Sequence, residues 1–108
     1  MANTFVRKQL LLTASLATIY TVPALTTAIV IGMRLANIDS LNQVTTEVKR
    51  GVSGSTFYHV APLTPIPIGS ALKGIEGEKL VLEAGDIVEA KAGAINDVDM
   101  TMSIMEIT

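Results

Sequence analysis

The sequence of 108 residues contains no cysteine and a single histidine, His59. Without cysteine the chain cannot form a disulfide, a thiolate nucleophile or a cysteine-ligated metal site. With one histidine it cannot build a multi-histidine metal centre or most proton relays. Aromatic residues are equally scarce, with two Phe, two Tyr and no Trp. The core must therefore be aliphatic, and we expect no cofactor and no metal.

The chain also lacks an excess of basic residues, since its formal net charge is −2. A duplex-DNA binder normally presents a basic face, so we expect no nucleic-acid partner. The charges are unevenly distributed. Residues 1–72 carry five cations and two carboxylates, a net of +3, whereas residues 73–108 carry three cations and eight carboxylates, a net of −5. This asymmetry favours complementary docking between like subunits.

Charge is absent altogether from residues 9–33. A stretch of this length could cross a bilayer as a helix, which makes a membrane-anchored protein one hypothesis. However, it contains several threonines and is interrupted by Pro23, and such content weakens insertion. The apolar run Leu10-Leu11-Leu12 is too short for a secretory signal. We therefore interpret the segment as two buried strands of a soluble protein without a membrane partner.

What the sequence does contain is β-branched residues, because Val, Ile and Thr together number 33. These types pack well on pleated surfaces. Apolar residues recur with a period of two, and turn residues separate the periodic segments at intervals typical of a sandwich or jelly roll. We predict a single all-β domain over 1–108, an antiparallel β-sandwich or jelly roll, with residues 1–13 forming an N-terminal arm or edge strand. About eight strands are predicted, at 4–13, 17–22, 26–37, 44–50, 55–61, 78–84, 87–92 and 97–108.

The alternation predicts which way individual side chains point, and the segments without it are predicted to be turns or connections. In 26–37 we expect Ile29, Ile31, Met33 and Leu35 on one face, and in 44–50 we expect Glu47 to point to solvent. Residues 51–54 are predicted to form a hairpin turn, and the proline-rich segment 62–67 an extended connection between sheets. Residues 69–77 are predicted to be rich in turns. In the last strand, Val98, Met100, Met102 and Ile104 should line one side, and the phase slips at Met105, which indicates a bulge or a contact beyond the domain.

No catalytic motif stands out. The segment 69–74 has the outer glycine spacing of a phosphate-binding loop, but Ile75 and Glu76 stand where Lys and Ser or Thr are required. His59 has no second histidine or serine nucleophile in a recognisable motif, and a lone strand histidine is typical of a surface. Asp86, Asp97 and Asp99 do not follow the spacing of a calcium loop. The sequence therefore predicts a protein that is not an enzyme.

Four segments carry a resemblance to a known group. They are Tyr20-Thr21-Val22-Pro23, Thr26-Thr27-Ala28-Ile29-Val30-Ile31, Leu82-Glu83-Ala84-Gly85-Asp86-Ile87-Val88 and the ending Glu106-Ile107-Thr108. Together they resemble small virion structural proteins of tailed bacteriophages. The resemblance implies a β-sandwich that belongs to the phage particle, at the capsid surface or on the neck, tail or fibres.

On this basis we expect a non-enzymatic virion protein, assembled in the host cytoplasm, that acts by oligomeric docking as a capsid decoration or cement protein. We expect a homo-oligomer, with a trimer favoured, that contacts the major capsid protein or other virion proteins. The alternatives are a neck, tail or fibre accessory protein and a glycan-binding module. Residues 1–13 or the last strand would supply edge pairing or apolar contacts. The predicted interface residues are Phe5, Leu10, Leu12, Tyr20, Phe57, Tyr58, Met105 and Ile107.

Overall fold

The computed structural model describes residues 3–39, 41–52, 56–75, 79–93 and 97–108. Within these ranges the chain forms nine β-strands and no helix, as expected from its content of β-branched residues. In chain order the strands are β1 (Asn3–Leu11), β2 (Ala17–Thr21), β3 (Thr27–Asn37), β4 (Val44–Val52), β5 (Tyr58–Ile66), β6 (Ala71–Ile75), β7 (Leu80–Leu82), β8 (Asp86–Ala92) and β9 (Val98–Ile107).

The strands form two antiparallel sheets packed face to face. The five-stranded sheet has the order β1-β9-β3-β6, with β7 also paired to β3, and the four-stranded sheet has the order β2-β8-β4-β5. If β6 and β7 are counted as one interrupted strand, the pairs are nested: β1 with β9, β2 with β8, β3 with β6 and β7, and β4 with β5. This nesting is that of a jelly roll, so the predicted all-β sandwich is confirmed.

The core lies between the sheets and is aliphatic, as predicted. Along β8 and β9 every second residue is buried, whereas the residues between them are half-buried or exposed. Each fully buried aliphatic side chain contributes roughly 1.5–3 kcal/mol relative to an exposed one. The buried apolar residues on these two strands are the ones expected from the alternation: Val88, Ala90, Ala92, Val98, Met100, Met102 and Ile104.

The longest apolar run, β3, differs from the predicted regular alternation. Val30 lies opposite Ile104 and Gly32 opposite Ser103, so Ile31 is an extra residue without a partner on β9. This bulge shifts the side-chain phase by one residue. Ala28 and Val30 are buried before the bulge, and Met33 and Leu35 are buried after it. The prediction that Ile29 and Ile31 share a face with Met33 and Leu35 is therefore wrong.

The phase slip expected in the last strand is also located differently. The pairing of β9 with β1 runs without a shift from Val6 opposite Ile104, through Phe5 opposite Met105, to Asn3 opposite Ile107. The irregularity lies in the neighbouring strand β3 and not in β9. As a result, Met105 keeps its outward position.

Two segments that were predicted to be irregular are strands. β5 continues past Ala61 to Ile66, and Pro65 lies opposite Thr45 of β4. Proline is tolerated there because β5 is an edge strand, whose outer side has no partner to receive an N–H. Residues 71–75 form β6 on the edge of β3. The predicted turn at 51–54 lies partly outside the described residues, and its first two residues belong to β4.

A polar contact joins the two sheets. Tyr20 of β2 is only 3% exposed, and its hydroxyl donates a hydrogen bond of 2.5 Å to Oε2 of Glu106 on β9. Burial, and then the adjacent Glu106 carboxylate, raise the pKa of Tyr20 well above its ordinary range. The ammonium of Lys8 lies 5.9 Å from the centroid of the same ring, within the range of a cation–π contact. Tyr20 therefore connects β2 to both β1 and β9.

Replacing this hydroxyl should destabilise the fold. We expect Tyr20→Phe to lower the free energy of unfolding by about 1–2 kcal/mol at pH 7, because it leaves the Glu106 carboxylate without its donor. The measurement is urea denaturation followed by circular dichroism. Tyr58→Phe is the matched control, since Tyr58 is 67% exposed and surface changes usually stay within about 0.5 kcal/mol.

The same pair gives an alkaline test. Because the pKa of Tyr20 is raised in the folded state, the unfolded chain loses its tyrosine proton first, and stability falls as the pH rises above about 10. The Tyr20→Phe variant has no phenol to ionise at this position. Its deficit in unfolding free energy relative to wild type should therefore shrink between about pH 10 and 11. A deficit that stays constant or grows over this range would contradict the assignment.

Candidate functional site

An apolar row crosses the outer face of the five-stranded sheet. The registers place Phe5 of β1 opposite Met105 of β9, Met105 opposite Ile29 of β3, and Ile29 opposite Val81 of β7. Residues directly opposite one another on antiparallel strands point to the same face. Phe5 is 72% exposed and Val81 is 54% exposed, whereas the adjacent Ile104 is fully buried. The row therefore faces away from the core.

Two further apolar side chains extend this row. Ile107 lies opposite Asn3 and Thr27, one outward-facing position beyond the row. Ile31, at the bulge, is 42% exposed beside it. Contiguous exposed apolar surface on a folded protein marks an interaction site. We call this set the apolar patch, and it comprises Phe5, Ile29, Ile31, Val81, Met105 and Ile107.

The middle of that outer face is polar and basic, whereas its far end carries Leu11 opposite the carboxylate of Asp99. Farther along the strands, Arg7 lies opposite Ser103, and Thr101 lies between Gln9 and Arg34. Both arginines are exposed. The outer face of the five-stranded sheet thus has an apolar end and a cationic middle.

The predicted interface residues fall in three places. Phe5, Met105 and Ile107 converge on the apolar patch, although they are far apart in the sequence. Leu12 and Tyr20 are core residues, almost inaccessible to solvent, so their predicted placement on a contact surface is corrected here. Both lie in the stretch 9–33, which the sequence predicts to form buried strands, and their burial agrees with that interpretation.

The other three predicted interface residues lie outside the patch. Leu10 is half-buried on the inner side of β1 and packs against the core. Phe57 precedes β5, and its ring covers Gly51 so closely that a Cβ there would come within 2.8 Å of it. Tyr58 is exposed on edge strand β5 of the other sheet. Their part in an interface stays a prediction.

Sequence reasoning missed Ile29 and Ile31 as surface residues, and it did not assign Val81 to a contact surface. The bulge determines which side of β3 each isoleucine takes, and the sequence sign of it is Gly32, since a glycine inside a strand often marks a bulge. The alternation in the predicted strand 78–84 places Val81 on the outward side, and it is exposed while the adjacent Leu82 is buried. What the alternation did not show was that Val81 continues a row begun by Phe5, because this depends on strand order.

The outer face of the four-stranded sheet is different in character and centres on Glu47. Its carboxylate accepts from Lys49 Nζ at 3.1 Å and from His59 Nε2 at 3.0 Å, both at Oε1, and Lys91 Nζ lies 3.6 Å from Oε2. The hydrogen bond from Lys49 is the main cause that lowers the pKa of Glu47. Glu47 lies on the outer face, as predicted, but it is only 6% exposed. The side chains of Lys49, His59 and Lys91 cover it.

The other acidic side chains do not assemble into a metal site. Asp86 accepts from the guanidinium of Arg50 at 3.4 Å and from the backbone N–H of Glu83 at 2.9 Å. Proximity to Asp39 contributes to raising the pKa of Asp97, after desolvation. Among the residues that the structure describes, no group of three or more His, Asp or Glu side chains is placed to bind a metal ion.

Three shallow depressions of about 300, 440 and 330 Å³ lie on the surface. Their described linings contain no aromatic side chain and no serine or histidine. In the described ranges there is also no helix with the length and apolar character needed to cross a bilayer. The apolar patch is thus the feature of the described surface with the clearest chemical character.

Comparison with known proteins identifies the fold. No protein-family model and no curated protein matches this sequence. Among solved structures, it is similar to a chain of the Bacillus endospore appendages, a family of disulfide-linked pili, with a TM-score of 0.58 and 16% identity over 99% of this chain and 87% of that chain. It is also similar to a chain of the acid-stable capsid of Helicobacter pylori bacteriophage KHP30, with a TM-score of 0.56 and 13% identity over 98% of this chain and 87% of that chain.

The Glu47 cluster yields a test of the charged face. We expect Glu47→Gln to lower the free energy of unfolding at pH 7 by no more than about 1 kcal/mol, because the ion pairs are partly solvated. The pKa of Glu47 is lowered in the folded state, so the stabilisation is present above the unfolded value of about 4.3 and is lost as the pH falls below it. The deficit of the variant should therefore shrink in acid, as measured by urea denaturation.

Glu89→Gln is the control for this experiment. Glu89 lies opposite Lys49 on the same face and has no ion pair in the part of the chain that the structure describes. Its replacement should change stability less than that of Glu47 and with less dependence on pH. Equal effects of the two substitutions would show that the cluster contributes only general electrostatics.

Proposed function

We propose that this protein is a non-enzymatic structural component of a bacteriophage particle, a decoration or cement protein that binds the capsid surface. The observation that carries the proposal is the apolar patch on the outer face of the five-stranded sheet. Its two outermost members, Phe5 and Val81, are more than half exposed. Aromatic and aliphatic side chains in this setting supply binding energy when a partner covers them.

The architecture supports the proposal in a second way. One sheet exposes apolar side chains, while the other exposes a charged network around Glu47 with Lys49, His59 and Lys91. A subunit built in this way can lay one face on a neighbour and keep the other in water. The two structural neighbours, a phage capsid chain and a chain of pili, share the fold in assemblies of many copies.

We further propose that the protein is a homo-oligomer, with a trimer as the favoured form, and that the major capsid protein is its partner. Repeated contacts of modest strength sum to firm attachment when one oligomer engages several sites on a lattice. A patch of six apolar residues on each subunit is suited to such repeated contact. Attachment to the capsid places the protein in the virion.

The surface favours docking over glycan binding. Sugar sites commonly stack the ligand on exposed aromatic rings, but the described linings of the three depressions contain none. Tyr58 is exposed but lies on edge strand β5, and Phe57 is partly covered. A neck, tail or fibre location would use the same patch, and the experiment below separates these locations.

The test is binding of the purified protein to empty capsids and to isolated tails, measured by co-sedimentation, with oligomeric state from light scattering. We expect the double variant Phe5→Ser, Val81→Ser to bind capsids at least about tenfold more weakly, because it removes the two most exposed apolar side chains of the patch. Its unfolding free energy should change by only about 0.5 kcal/mol, because both side chains are exposed. Leu41→Ser is the matched control, since Leu41 is exposed on the connection between β3 and β4.

Two results would contradict the proposal. One is a strict monomer that binds neither capsids nor tails. The other is equal binding by wild type, the double variant and the Leu41 variant, which would exclude the apolar patch as the contact. Selective binding to tails would reject the capsid location and support the tail.

A further inference from the structure

Strand β1 leaves a row of backbone groups free along one edge of the five-stranded sheet. The backbone N–H of Leu12 donates to the carbonyl of Val98 at 2.9 Å, which continues the β1–β9 register. Hydrogen-bonded residues alternate along an antiparallel strand, so the even-numbered residues of β1 bond to β9. The odd-numbered residues, Asn3, Phe5, Arg7, Gln9 and Leu11, direct their N–H and C=O groups to the outer edge.

The other edges of the sandwich are less suited to accept a strand. Edge strand β5 is as long as β1 but contains Pro62 and Pro65, which lack N–H donors. Strand β2 has five residues, and the opposite edge of the larger sheet is divided between β6 with five and β7 with three. Natural proteins commonly protect their edges by such means. Among the described edge strands, β1 is the long one without proline.

We infer that β1 is a β-augmentation site for an extended, acidic strand of a partner protein. The inference rests on the proposed docking function and gives the chemistry of the partner. The main chain of β1 would supply the hydrogen bonds to the incoming strand. Arg7 would select an incoming strand that carries a carboxylate at the position opposite it. Arg7 is exposed, carries no ion pair to any residue in the described ranges, and has Ser103 as its neighbour on β9. A carboxylate on an incoming strand opposite Arg7 would form the missing pair.

The charges on β1 argue against a second copy of the same strand as the occupant. Pairing two β1 strands antiparallel over their full length would place Arg7 opposite Arg7, with Lys8 beside it. Like charges directly opposite on neighbouring strands are destabilising. The strand contains no carboxylate to offset them. Arg7 therefore opposes self-pairing and attracts a strand of the opposite charge.

The apolar residues of β1 define the rest of the occupant. Phe5 lies two residues from Arg7 on the outer face, so an incoming strand should place an apolar side chain two positions from its carboxylate. On the inner side, Val6 and Leu10 are only partly buried. Apolar side chains at the alternate positions of the partner would cover them. The expected motif is a β-strand with one acidic residue on an otherwise apolar or neutral ribbon.

The test uses cyclic β-hairpin peptides, because a preorganised strand binds with a smaller entropic cost. One peptide presents an alternating Val/Thr strand with a central Glu, and the second has Lys in place of that Glu. A third keeps the Glu but carries N-methyl groups on the outward amides. Affinity is measured by fluorescence anisotropy, and protection of the β1 amides is measured by hydrogen exchange.

We expect the Glu peptide to bind roughly fivefold more tightly than the Lys peptide and to protect the odd-numbered amides of β1. N-methylation should abolish binding. Arg7→Glu should reverse the preference between the Glu and Lys peptides, and Arg34→Glu, on the same face but on β3, is the matched control that should retain it.

Each of the following results would overturn the inference: no binding of the Glu peptide, equal binding of the N-methylated peptide, or an unchanged preference in Arg7→Glu. Protection of the odd-numbered β1 amides on raising the concentration of the protein alone would identify a second copy as the occupant. The assay contains no virus particle, so its failure is separate from that of the proposed function. If the peptides do not bind while the Phe5 and Val81 double variant still binds capsids more weakly, the proposed docking function is supported and the strand-addition site on β1 is rejected.

Discussion

The burial of alternate side chains between two twisted sheets is the constraint on which the rest of the structure depends. Alternate residues of each strand point into the core, and the residues between them form the outer surface of the sheet. On β9 the buried set is Val98, Met100, Met102 and Ile104. The register of β9 with β1 and β3 then determines which side chains meet outside. Surface chemistry in this protein is thus a consequence of core packing and strand order.

The bulge at Ile31 shows how sensitive that consequence is. With regular alternation along β3, a strand that buries Met33 and Leu35 would also bury Ile29 and Ile31. The extra residue places Ala28 and Val30 in the core and leaves Ile29 beside Met105 on the outer face. One inserted position therefore moves two isoleucines toward solvent. The apolar patch depends on it.

The sequence allowed the fold class to be predicted because its signal is local. Period-two alternation on β8 and β9 and the turn residues between strands need no knowledge of partners. Three of the patch residues, Phe5, Met105 and Ile107, were also predicted as contacts. The errors came from long-range features. Glu47 is covered by side chains from three strands, and Tyr20 is buried against Glu106 from the other sheet. Neither neighbourhood can be read from residues close in sequence.

The structural neighbours share the fold at 13% and 16% identity, so the fold itself does not determine what the molecule contacts. This chain has no cysteine and cannot be linked by disulfides, as the pili of one neighbour are. Its contacts must depend on the non-covalent chemistry of its faces. The outer face of the larger sheet offers a partner apolar and basic side chains, whereas the outer face of the smaller sheet offers side chains that are already paired with one another.

In the proposed function, other proteins cover the outer face of the larger sheet. Hydrogen–deuterium exchange of the free protein can be compared with that of the protein bound to capsids. Added protection should be concentrated on β1, with β4, β5 and β8 unchanged. Protection confined to the smaller sheet, or none on β1, would contradict this proposal.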